Sequence, residues 1–171
     1  MKNYSWDFNF TNLYDRCLES YQAGEEDYNH WYDESDHEFL EMIGYQPQEF
    51  FDYVEDYAVH GDPSPTTTLM IASVRRDYLD VVQGGKLSEV RIMSADLPPK
   101  DADWEGYVWL PRILIKARAK LRGELHPESM FCCGGDREFL RKHDIAPADF
   151  LRAVWAAEAD DNKILNYIKS H

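Results

Sequence analysis

Apolar positions near the start of the chain follow two rhythms. Trp6, Phe8 and Phe10 alternate, which predicts an extended arm over residues 1–12. From Leu13 the spacing changes: Leu13, Tyr14, Cys17, Leu18 and Tyr21 recur every three or four residues, one face of a helix to about residue 23 that Gly24 stops. Residues 25–35 mix acids with aromatics and read as a loop. Asp36 is then expected to cap a short helix over 38–42, closed near Gly44. Gln46-Pro47 opens the next helix with proline in its first turn; Phe50, Phe51, Val54, Tyr57 and Ala58 form its inner stripe and His60-Gly61 its end. Ser64 as N-cap and Pro65 at the first helical position start a longer helix. Its inward set is Leu69, Ile71, Ala72, Val74, Tyr78, Val81 and Val82, and it stops at Gly84-Gly85.

Residues 86–105 read as a connector, Pro-rich at Asp96-Leu97-Pro98-Pro99, with one short strand at most. Helical spacing resumes over about 110–122, with Ile113, Leu114, Ala117 and Leu121 inward. Further helices are predicted over about 136–142, 147–157 and 161–169, the last capped by Asp160 or Asp161.

The two series are related. Asp36, Glu38, Phe39, Leu40, Pro47, Phe50 and Val54 reappear one hundred residues later, seven identities in nineteen gapless positions (36–54 on 136–154). Leu13, Tyr14, Cys17 and Tyr21 meet Ile113, Leu114, Ala117 and Leu121 at the same offset. The fold class expected is therefore all-α: two tandem copies of a small four-helix unit, with pseudo-twofold symmetry and room for one short strand pair. Units this small bury too little surface alone, so the first copy (1–85, with its arm), the connector (86–105) and the second copy (106–171) are expected to share one core.

Composition narrows the class. The 171 residues are 44% hydrophobic and 14% aromatic, which argues against disorder. No run of about 18 apolar residues exists and the first residues lack the apolar stretch of a leader, so no membrane partner is expected. The cysteines (Cys17, Cys132, Cys133) are odd in number and two are adjacent, which fits no disulfide framework and points to a reducing cytoplasm. The net charge of −14 is lopsided: residues 1–85 hold 18 Asp+Glu against 4 Lys+Arg, whereas 86–171 hold 14 of each. Such a dipolar molecule steers charged partners, or its acidic copy docks on the basic helix of the other.

The run Asp96-Leu97-Pro98-Pro99, then Gly106-Tyr107-Val108-Trp109-Leu110-Pro111-Arg112, the helix Lys116-Ala117-Arg118-Ala119-Lys120-Leu121-Arg122-Gly123 and Asp136-Arg137-Glu138-Phe139-Leu140 resemble a bacterial family known as "domain of unknown function 5069". The resemblance spans about residues 95–171, and the first copy, at about 10–85, looks like a diverged member. Cys132-Cys133-Gly134-Gly135 departs from the single cysteine of the family pattern. The resemblance implies a soluble bacterial protein and brings no activity.

Candidate chemistry is sparse, and no nucleophile-elbow, phosphate-loop, dinucleotide or His-Glu-x-x-His motif occurs. Asp36 and Asp136 have the chemistry of paired metal-binding or proton-sharing carboxylates, but a repeated helix cap accounts for them. His30, Asp33, Glu34, Asp36 and His37 offer zinc-type donors without zinc-type spacing, which an acidic loop explains. Cys132 and Cys133, before two glycines and with His126 as a base, are either a reactive thiol pair or core. Tyr107, Trp109, Arg112 and Arg118 combine aromatics with the basic helix and are candidate binders of a phosphate or an acidic peptide. No metal site, cofactor or catalytic residue is assigned.

The function expected first is a non-enzymatic interaction module. One alternative is an acidic nucleic-acid mimic that occupies a basic protein's site. The other is a small enzyme with a pocket at Cys132/Cys133. A basic protein is the partner expected for the acidic copy, and direct nucleic-acid binding is disfavoured by the charge.

Overall fold

The computed structural model describes residues 4–171. Helix α1 runs Trp6–Gln22, so the expected arm is helical from Trp6 onward, and residues 1–3 lie outside the described residues. The aromatic alternation misleads because only Phe10 turns inward. Trp6, one helical turn earlier, packs edge-on against it at 6.3 Å, while Phe8 points to solvent.

The first half continues with α2 (Glu34–Ile43), α3 (Pro47–His60) and α4 (Pro65–Val81). The second holds α5 (Leu110–Arg122), α6 (Gly134–Lys142), α7 (Pro147–Ala157) and α8 (Asp161–Lys169). Between them, β1 (Asp103–Trp104) and β2 (Tyr107–Val108) form an antiparallel hairpin across Glu105-Gly106, both in the left-handed region as a tight primed turn requires. The connector also makes a lone parallel bridge, Ile92 to Leu125. The architecture is all-α with this small strand pair.

Two expected caps move. Asp33, not Asp36, caps α2: its side chain accepts the N–H of Asp36, whose own carboxylate accepts the N–H of Asp33, a reciprocal box. Asp136 likewise lies one turn inside α6, behind Cys133 at the cap position. Both aspartates are buried, which a cap exposed to water need not be. Asp160 caps α8 through the N–H of Asn162. Val81 and Val82, expected inward, are exposed at the last residue and the C-cap of α4.

A single cluster of buried side chains joins the halves. It includes Phe10, Tyr14, Phe50, Tyr53 and Ile71 from the first half and Leu110, Ile113, Phe131, Phe150 and Leu151 from the second. Helix α4 packs on both α5 and α7, which gives the core its continuity. Polar ties reinforce it: the Tyr53 hydroxyl donates to the carbonyl of Phe131 at 2.9 Å, and Gln46 to that of Leu125. Arg75 is buried in this junction, donating to the carbonyls of Gly44 and Leu121 at the C-terminal ends of α2 and α5. Those ends carry unsatisfied carbonyls and negative partial charge, so a buried cation is stabilised there.

Candidate functional site

The expected binding residues are not one site. Trp109 opens α5 in the left-handed region (φ 79°), an unfavourable place for a bulky side chain, and its indole Nε1 donates to Asp136 Oδ1 at 2.9 Å. Asp136 Oδ2 accepts from Lys116 and from the backbone N–H of Cys132. Cys133 Sγ accepts from the Lys116 ammonium at 3.1 Å. Arg112 stacks over Trp109 at 5.8 Å and donates to the carbonyl of Pro98. Trp109, Arg112, Cys132 and Cys133 thus gather around one buried carboxylate, that of Asp136, which the sequence predicts only as a helix cap. Tyr107 packs elsewhere, on the ring of His143, and Arg118 binds Asp161. His126 is engaged by Glu128 and makes no hydrogen bond to either cysteine. Cys132 is buried, and desolvation pushes its thiol well above the usual range, which favours the neutral thiol over the thiolate.

The basic helix is largely consumed inside the chain. Lys116 and Arg118 pair within the second half, with Asp136 and Asp161. Only Lys120 crosses to the acidic half: its ammonium meets Glu49 at 2.5 Å and lies 3.4 Å from the ring of Tyr45, with burial pulling its pKa down to about 8 against the attraction of Glu49. Helix α6 makes the other crossings, Arg137 to Asp56 and Asp62, and Arg141 to Asp62.

The concavity lies where no site was expected. A groove of about 880 Å³ opens between α1, α2 and the end of α4. Leu13, Phe39, Met42, Leu79 and Leu87 give it apolar walls; Asp36, Glu38, Glu41 and Asp80 bring carboxylates, Arg16 and Arg76 guanidinium groups. Both arginines are engaged: Arg16 with Asp36 at 2.5 Å, Arg76 with Asp77 and over the ring of Trp6. Glu41 and Asp80 form no ion pair among the described residues. A shallow depression lined by Asp33, Glu34, Ser35 and Glu38 extends the acidic rim.

The groove is not legible in the sequence because its walls come from α1, α2, α4 and the segment after α4, from Asn9 to Leu87. One signal was present: the offset of one hundred places Asn9 and Asn12 opposite Trp109 and Arg112, a difference rather than an identity.

Among the described residues no group of three or more His, Cys, Asp or Glu is arranged to hold a metal ion. His30 Nδ1 lies 3.7 Å from Asp27, and Asp33 is spent on its helix cap. No described helix is long and apolar enough to cross a membrane.

Fold and groove together define a small helical protein with one acidic, partly apolar concavity. Residues 99–171 match the family model described as "Domain of unknown function (DUF5069)", so the second half resembles that family. No curated protein matches the chain, and no solved structure does.

Proposed function

We propose that this chain is a non-enzymatic interaction module whose first half receives a basic, amphipathic segment of a partner protein in the groove between α1, α2 and α4. The observation that supports this reading is the lining. Apolar side chains make the floor, both arginines are already engaged, and Glu41 and Asp80 are left to meet a cation. A segment that lays apolar anchors on Phe39 and Met42 and aims lysines at Glu41 and Asp80 matches both features. The charge excess of residues 1–85 draws such a segment in from a distance.

Selection from a displayed random-peptide library tests it. The peptides recovered should be rich in Lys and Arg with one or two large apolar residues. They should be lost against Met42→Glu, and against Glu41→Lys combined with Asp80→Lys. Raising the salt should weaken binding without abolishing it, because burial on the apolar floor is not screened. Acidic peptides, or binding indifferent to Met42→Glu and erased by salt, overturn the groove reading; the second result favours mimicry of a polyanion by the whole acidic face.

A further inference from the structure

The open groove has a filled counterpart in the same chain. At an offset of one hundred, its lining residues Asn9, Asn12, Arg16, Ser35 and Asp36 meet Trp109, Arg112, Lys116, Gly135 and Asp136. The local chemistry corresponds too. Asp36 Oδ2 accepts from Arg16 and from the backbone N–H of Asp33, three residues earlier; Asp136 Oδ2 accepts from Lys116 and from the N–H of Cys132, four residues earlier.

The other carboxylate oxygen separates the two places. Asp136 Oδ1 accepts the indole N–H of Trp109, whose ring lies so close on α6 that a Cβ at Gly135 would collide with it. Asp36 Oδ1 has no partner among the described residues, and at the sequence offset where the second half has Trp109, the left-handed cap of α5, the first has the short Asn9 inside α1, which lines the groove. One half therefore carries its own indole over the helix, and the other leaves the corresponding space open to solvent.

We propose that the groove anchors its partner through a tryptophan side chain whose indole N–H donates to Asp36 Oδ1. The inference rests on the groove being a partner site and names the anchor. Indole suits the place: it has a large apolar body for Leu13, Phe39 and Met42, a single donor, and no acceptor to clash with the surrounding carboxylates. A hydrogen bond to a charged acceptor is of the stronger kind, and buried tryptophans dominate interface energetics. Ser35 distinguishes the halves in one respect. A ring docked there would meet the Cβ of Ser35, where at Gly135 a Cβ would collide with Trp109, so removing the Ser35 Cβ should let the anchor settle closer.

The test measures binding of the full chain to a fluorescent, lysine-rich peptide with one central tryptophan. Matched peptides carry phenylalanine, or tryptophan methylated on the indole nitrogen. Loss of the donor should weaken binding about tenfold or more. Ser35→Gly should tighten the tryptophan peptide, and Asn9→Trp, which fills the groove from within, should abolish binding. Equal affinity for all three peptides, with binding still lost on Met42→Glu, overturns the anchor and leaves the groove reading standing. No binding by any of the peptides overturns both. A preference for the donor that Ser35→Gly and Asn9→Trp leave untouched places the indole elsewhere and overturns the anchor as well.

Discussion

Asp52 lies on α3 among Glu49, Glu55 and Asp56, and burial first, then those charges, push its carboxyl from 3.8 up to about 7. Between those values the folded chain holds a proton that the unfolded chain has released. Stability from this group is therefore complete below about 3.8 and falls as pH rises through about 7. Replacing Asp52 with Asn removes the charge that the fold resists. The variant should match the parent near pH 4 and exceed it above pH 7, by about 1 kcal/mol after allowance for solvent screening, or about 2–4 °C in melting temperature. Melting curves across that range check it, and a variant no more stable above pH 7 than the parent refutes the shift. Other single residues were legible in kind but not in place. Asp36 and Asp136 were expected to serve helix starts, and they do, from one turn inside. Their burial, and the partners Arg16 and Lys116 that burial demands, depend on how α1 and α5 pass over α2 and α6.

Elements with clear punctuation were readable: α5 between Leu110-Pro111 and Gly123, α7 opening at Pro147, α8 capped by Asp160. Helix α1 was misread because its first turn carries aromatics at alternate positions, and packing, not periodicity, decides which of them turns inward. Helix ends show the same limit. Gly44 ends α2 in the left-handed region, as a C-cap glycine does, yet its role is larger: a Cβ there would meet the Arg75 guanidinium at 2.7 Å. Gly61 ends α3 with the same backbone and open space around it. Gly61→Ala should cost about 1–2 kcal/mol for the left-handed backbone alone. Gly44→Ala must also displace a buried cation bound to two helix ends, and should cost about 3–5 kcal/mol. Urea midpoints for the two variants decide it; equal losses would mean that Arg75 moves aside freely.

Across the whole molecule the charge asymmetry has two uses, and they draw on different acids. Glu49, Asp56 and Asp62 face the second half and meet Lys120, Arg137 and Arg141. Glu41 and Asp80 face the groove and remain available to a partner. Sequence alone could count the excess but not divide it, because α3 and α2 carry similar runs of acids and only the packing of α4 on α5 and α7 decides which side is covered. Arg137 is the cation on which this division turns. Its side chain is 10% exposed, and it binds Asp56 at 2.6 Å and Asp62 at 3.1 Å across the junction. Arg137→Glu sets a third carboxylate against those two and should cost about 2–3 kcal/mol, somewhat less than a fully buried pair because both aspartates keep contact with water. Asp56→Arg added to that variant should recover part of the loss, as expected of a direct pair in a double-mutant cycle. Arg118→Glu, on the basic helix that looked like the natural dock for the acidic half, should cost about 1 kcal/mol or less, since its partner Asp161 belongs to the same half and is half exposed. If Arg118→Glu proves as damaging as Arg137→Glu, and Asp56→Arg restores nothing, ion pairing across the junction is not what holds the acidic half in place.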